Sequence, residues 1–172
     1  TMLSNKFRWD YVDIDSDEAD RLVKKCNDAI PNHPDHTFQT AKVNLPYFLG
    51  RKVLRLVLVQ VAPLDNMKIH SDVRIDDGCL ALNIPLRNCE DSVTELWEPI
   101  EYRKKIADTN NSNPYNVYYR KECTKIDEFI LDRPVIFNTD IPHSVNNTRN
   151  MNRRYAISIR FMEDPWDLVM PT

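Results

Sequence analysis

The stretch 67–86, MKIHSDVRIDDGCLALNIPL, decides how this chain is read. Its second half is a strand. Leu80, Leu82, Ile84 and Leu86 fall on one side of an extended backbone, and Ala81 and Asn83 fall on the other. Its first half sets His70 and Asp72 two residues apart. On extended backbone, residues i and i+2 share a face, so an imidazole and a carboxylate stand side by side just ahead of an apolar strand. Taken alone, the pair also reads as an ordinary polar turn, because Asp and Ser favour turns for local hydrogen-bonding reasons. The rest of the chain has to choose.

Working outward, further strands follow at short spacing. RKVLRLVLVQVAP, residues 51–63, is rich in β-branched and leucine residues and reads as a buried strand closed by Pro63. VTELWEPI (93–100), NVYYRKE (116–122) and RPVIFNTD (133–140) read as strands too. RRYAISIRFM (153–162) is the last strong one. Tyr155, Ile157, Ile159 and Phe161 face one way; Arg154, Ala156, Ser158 and Arg160 face the other. Near the N-terminus FRWDYVDID (7–15) reads as a short strand. Ser16 is then the expected N-cap of a helix through DEADRLVKKCNDAI (17–30), with acids at its positive end and Leu22, Val23, Cys26, Ala29 and Ile30 as its apolar stripe. Pro31 and Pro34 end it. One helix or a few, then seven or eight strands, with no repeats and no linker, predict a mostly-β sandwich or barrel with supporting helices. The 172 residues suit a single domain over 1–172, with N-terminal support over about 1–50 and the strand-built core over about 51–162.

Composition removes several functions. Net charge is −3 and the pI is near 5.8, so the basic footprint of a nucleic-acid binder is missing and nucleic acid is disfavoured as a partner. No apolar run reaches the ~18 residues of a membrane helix, which argues against a membrane partner. The opening TMLSNKFRWDYVDIDSDEAD lacks the apolar stretch of a secretion signal. The four cysteines, Cys26, Cys79, Cys89 and Cys123, show no CxxC spacing and are expected as reduced thiols in a cytoplasmic protein. Only two glycines occur, Gly50 and Gly78, which excludes glycine-rich phosphate loops.

Four histidines remain as candidate ligands. His33 and His36 lie in a proline-broken loop, where an HxxH pair does not share a helical face. His143 follows an apolar strand and the turn at Asp140–Pro142. Ten and eleven residues later come Arg153 and Arg154, which open the final strand. The order is therefore His70-x-Asp72, then His143, then arginine. Two histidines and one carboxylate leave a face of a metal open, which is the ligand set of non-haem Fe(II) oxygenases.

That order and spacing resemble the Fe(II)/2-oxoglutarate-dependent oxygenases, over roughly residues 51–162. The closest likeness is to the phytanoyl-CoA hydroxylase-like and prolyl hydroxylase-type branches. HSVNNTRNMNRRYAISIRF, residues 143–161, resembles the former, where an arginine is followed by a short xAIS run. The resemblance implies a double-stranded β-helix, the cupin-like jelly roll. In it HxD ends the second core strand, the second histidine lies on the seventh, and a basic residue lies on the eighth. It implies Fe(II) held by His70, Asp72 and His143, with 2-oxoglutarate and O₂ as co-substrates. It selects Arg154 as the anchor of the 2-oxoglutarate carboxylate. Strand parity agrees, because Arg154 shares a face with the small Ala156 and Ser158; Arg153, in phase with Tyr155, is the alternative. Asn83 and Ser158 are further candidate cofactor contacts. The implied reaction hydroxylates a substrate and converts 2-oxoglutarate to succinate and CO₂. The substrate is a peptidyl side chain or a small metabolite. Two readings from other classes stand beside it: a cupin-like metal protein that ignores 2-oxoglutarate, and a metal-free binding module.

Overall fold

The computed structural model describes residues 7–30, 41–72, 78–100, 105–106 and 115–169. Thirteen strands and two helices run through them: β1 (Trp9–Tyr11), α1 (Ser16–Ala29), β2 (Ala41–Lys42), β3 (Tyr47–Phe48), β4 (Arg51–Val61), β5 (Ile69–Asp72), β6 (Leu80–Arg87), β7 (Val93–Pro99), β8 (Lys105–Ile106), β9 (Tyr115–Tyr118), β10 (Cys123–Phe129), β11 (Val135–Asn138), β12 (His143–Asn146), β13 (Arg154–Phe161) and α2 (Trp166–Val169). A short 3-10 turn, Arg120–Glu122, precedes β10.

The strands form two antiparallel sheets. One runs β1-β11-β6-β13-β4-β2, with β3 also paired to β4; the other runs β10-β7-β12-β5-β9-β8. At their centre, β4-β13-β6-β11 face β10-β7-β12-β5, and the chain alternates between the two layers as it winds. This is the double-stranded β-helix, a cupin-like jelly roll. The two sheets do not close by backbone pairing where β1 and β10 meet. Side chains stitch that seam: Trp9 Nε1 donates to Asp127 Oδ2 at 3.1 Å and Tyr11 Oη donates to the Ile130 carbonyl at 3.1 Å.

The alternation of β6 and β13 sorts the core into two. Leu80, Leu82, Ile84, Tyr155, Ile157, Ile159 and Phe161 lie outside the barrel and pack with Leu22, Cys26 and Ile30 of the α1 segment. Ala81 and Ala156 face inward, with Leu96, Phe129, Val135 and Phe137. The bulky set thus anchors the helix, while the small set lines the interior. Leu58 and Ile157 are fully buried cross-strand partners. Truncating Ile157 to alanine is expected to cost about 2–5 kcal/mol of stability, measured by urea unfolding, because the helix above can only partly settle into the gap.

Two local devices fix the N-terminal support. Asp15, not Ser16, caps α1: its Oδ1 accepts from the Glu18 N–H at 2.9 Å, and Ser16 is the first helical residue. Either residue has a capping oxygen, and the carboxylate adds charge complementary to the helix end. Leu49 and Gly50 both take positive φ, 53° and 69°, in the two-residue link between β3 and β4. That conformation matches the hairpin twist but strains Leu49. Glu18 Oε1 holds it by accepting from the Leu49 N–H at 3.0 Å.

The strand between 116 and 122 is shorter than expected, because the 3-10 turn interrupts it after Tyr118. α2 follows β13, and its Asp167 pairs with Arg51. Among the described residues no helix is long and apolar enough to cross a membrane. The loop holding His33 and His36, and most of 101–114, lies outside the described residues.

Candidate metal centre

The inner sheet face gathers the two histidines by register. β5 and β12 run antiparallel, and His143 is the direct partner of His70. Residues opposite each other in such a pair stand side by side on one face. Asp72 lies two residues further along β5, so it shares that face. The result is one cluster: ligand atoms of His70, Asp72 and His143 all lie within 4.8 Å of one another. His70 Nε2 is 3.9 Å and His143 Nε2 is 3.8 Å from the same carboxylate oxygen, Asp72 Oδ1. A single ion with bonds of ~2.1 Å spans donors up to ~4.2 Å apart, so these gaps suit one metal.

The protein prepares each donor. His70 Nδ1 lies 3.0 Å from the Lys68 carbonyl, and His143 Nδ1 lies 2.7 Å from the Ile141 carbonyl. A carbonyl only accepts, so Nδ1 carries the proton in both rings and each Nε2 presents its lone pair. Both histidines use the same local device, the carbonyl two residues back. Phe137 sets its ring edge-on to His143 with centroids 5.0 Å apart, fixing the imidazole plane. Burial, helped by the neighbouring His70, pushes the His143 imidazole down to about 4, outweighing the opposing pull of Asp72 and the Ile141 carbonyl. It is therefore neutral at physiological pH, as a metal ligand must be. Burial pushes the Asp72 carboxyl up, but His143, His70 and Arg160 together hold it below its ordinary value.

The sign of the resulting pH dependence follows. The unfolded histidine, near 6.5, takes up its proton before the folded one, near 4. Metal-free stability is thus complete above ~6.5 and is lost as pH falls toward ~4. Between about pH 7.5 and about pH 5 the loss assigned to His143 is on the order of 2 kcal/mol. Urea unfolding of the metal-free protein checks this: His143→Gln should lose correspondingly less stability over the same interval.

β13 carries the remaining candidates. Its inner face reads Arg154, Ala156, Ser158, Arg160, so two cations bracket two small side chains. Ser158 is the direct partner of Asn83 on β6. Asn83, Ser158 and Val59 keep accessible surface although they lie mid-strand in the central sheet, whereas their outward neighbours Leu58, Leu82 and Ile157 are sealed. Accessible surface on the inward face marks room inside the barrel. Arg154 is 2% exposed, and its Nε has no hydrogen-bond partner among the described residues; neither has Asn83 Oδ1. No described carboxylate pairs with Arg154, whose pKa burial lowers against the opposing pull of Cys89. Arg153 is only half-buried, precedes β13, and lies out of phase with the inner face. Its carbonyl accepts from Asn88 Nδ2 at 2.9 Å, which pins the start of the strand.

Arg160, not among the residues the sequence singles out, joins the site. Its Nη2 donates to Asp72 Oδ2 at 2.8 Å and also to Thr139 Oγ1. The signal was present, since Arg160 stands in phase with Arg154, but its distance in sequence from Asp72 hid the contact. On the outer side of β7, Trp97 Nε1 donates to Ser144 Oγ at 3.0 Å, and Arg120 stacks on its ring.

Fold and site together define a cupin-like barrel whose inner face holds a candidate mononuclear metal centre. No protein-family model and no curated protein sequence matches the chain. Among solved structures it is similar to AviO1 from Streptomyces viridochromogenes Tue57, with a TM-score of 0.52 and 12% identity over 91% of this chain and 90% of that one. That likeness supports the fold. HygX from Streptomyces hygroscopicus, solved with nickel and 2-oxoglutarate bound, aligns with a TM-score of 0.45 and 7% identity over 92% of this chain and 83% of that one, too distant to bear on more.

Proposed function

We propose that this protein is a non-haem Fe(II)- and 2-oxoglutarate-dependent dioxygenase that hydroxylates a peptidyl side chain or a small metabolite. The observation that carries the proposal is Arg154. A guanidinium this deeply buried, without a described anionic partner, is costly unless a bound anion offsets it. It lies on the same inner face as Ser158 and Asn83, in the barrel that gathers the three metal donors. Donor chemistry agrees: two imidazoles and one carboxylate suit Fe(II) and leave positions for a chelating 2-oxo acid and O₂.

Each residue then has a task. His70 and His143 present Nε2, and Asp72 presents Oδ1, to one ion. Arg154 meets the far carboxylate of 2-oxoglutarate with a fork of N–H donors, which fixes the length and direction of the bound diacid. Ala156 carries no bulk into the space between, and Ser158 and Asn83 offer polar contacts along it. Bound together, Fe(II), 2-oxoglutarate and O₂ supply the oxidising power that installs a hydroxyl on the substrate, with succinate and CO₂ released. The four free cysteines fit a reducing cytoplasm, which would also keep the iron as Fe(II).

The direct test is anaerobic addition of 2-oxoglutarate to the Fe(II)-loaded protein. A visible absorption band that neither component gives alone is expected, because a chelated 2-oxo acid shares charge with the iron. A cupin-like metal protein that ignores 2-oxoglutarate would bind iron without that band.

A further inference from the structure

We propose that Arg160 is the positioning residue that makes Asp72 a single-oxygen ligand. The proposal rests on the reading of His70, Asp72 and His143 as a metal centre and goes beyond it.

Asp72 has two oxygens with different surroundings. Oδ1 faces both histidine Nε2 atoms, at 3.9 and 3.8 Å. Oδ2 accepts from Arg160 Nη2 at 2.8 Å. The guanidinium reaches across from β13 in one sheet to β5 in the other, so this ion pair ties the two layers at the centre itself. Arg160 is only 8% exposed, and such a charge-assisted bond away from water is strong and directional.

Arg160 is in turn held. Its Nη2 also donates to Thr139 Oγ1, whose own proton goes to the Cys79 carbonyl at 2.8 Å. Thr139 thereby shows Arg160 only lone pairs. The Thr139 backbone completes the frame: its N–H donates to the Cys79 carbonyl at 2.8 Å, and its carbonyl accepts from the Asp72 N–H at 3.1 Å. Asp164 anchors the far side, with its carboxylate accepting from the N–H groups of Cys79 at 2.8 Å and Leu80 at 3.2 Å. Asp72 is thus fixed at its backbone and at one carboxylate oxygen by a single connected cluster.

The chemical consequence is a coordination count. With Oδ2 engaged by Arg160, the carboxylate offers one donor rather than chelating through both oxygens. Three protein donors would then leave a bound ion more positions for other ligands than a set with a chelating carboxylate would. The two inward arginines of β13 therefore have different tasks. Arg160 serves the metal ligand, and Arg154 awaits an anion.

The test uses the full chain with Mn(II), followed by the spin-resonance signal of free Mn(II), and with Co(II), followed by visible absorption. Arg160→Gln should weaken Mn(II) binding about 10- to 100-fold and change the Co(II) spectrum, because the carboxylate is free to turn and chelate. Arg160→Lys keeps the charge without the fork, and should lose less affinity. Unchanged or tighter Mn(II) binding with an unchanged Co(II) spectrum in both variants would overturn the role. If Arg160→Gln does not fold, judged by far-UV circular dichroism, Arg160→Lys decides by the same two readouts. Failure of the unaltered protein to bind Mn(II) overturns the metal centre and this role together. Mn(II) binding without any 2-oxoglutarate binding overturns the oxygenase reading alone.

Discussion

His143→Ala should lower Mn(II) affinity by at least ~100-fold, beyond the effect expected of residues that merely support ligands. Three donors converge in this centre, and His143 is the most deeply placed of them, 6% exposed and locked by the Ile141 carbonyl and the Phe137 ring edge. Removing it leaves His70 and Asp72, neighbours on one strand, which cannot enclose an ion from two sides. The fold should survive. β12 also pairs with β7 over four residues, and that ladder needs only the backbone of residue 143. The loss of a buried imidazole that resists protonation should also flatten the acid side of the stability profile. His70→Ala should give the same binding defect. Titration with Mn(II), together with circular dichroism of each variant, separates loss of the site from loss of the fold; retained affinity in both would remove the centre.

Arg154→Met should act on the second cofactor and leave the first alone. Truncating one partner of a buried, hydrogen-bonded charge pair costs about 3 kcal/mol, or roughly 100-fold in the dissociation constant of 2-oxoglutarate. Mn(II) affinity should stay within a few-fold. Arg154→Lys should recover part of the loss, since one ammonium replaces a two-pronged donor. The same change should move stability in the opposite direction. In the ligand-free protein Arg154 is a buried cation without a described anion, so Met, of similar length and uncharged, should raise the melting temperature. A tighter apo fold with a weaker cofactor site is the signature of a residue kept for its ligand. A stable variant with unchanged 2-oxoglutarate affinity would remove Arg154 from that role.

Much of this was written in the chain, for physical reasons that differ from element to element. β6, β13 and the second half of β4 are largely buried on both faces, so their apolar content stands out, and the parity of β6 and β13 separated the helix-packing face from the interior. α1 was legible from its stripe, although the capping residue lay one position earlier than expected. β10 was not legible. Its residues CTKIDEF lie at a sheet edge with only Phe129 buried, where charge guards against pairing and hides the alternation, and a register shift between Lys125 and Asp127 breaks the period. β5 and β12 are four residues each, too short for a pattern, and their site value lies in a cross-strand register that local sequence does not encode. The grouping of His70, Asp72 and His143 was readable because His70 and Asp72 stand two residues apart and His143 follows in a recognisable order. Arg160 was not, because its contact with Asp72 spans 88 positions and exists only once the two sheets face each other.

The central claim is tested most directly by following 2-oxoglutarate in the presence of the purified protein, Fe(II), ascorbate and O₂. The account predicts succinate and CO₂ formed in equal amounts, dependent on Fe(II), and abolished in His143→Ala. Neither succinate nor binding of 2-oxoglutarate to the iron-loaded protein is the result that would contradict it.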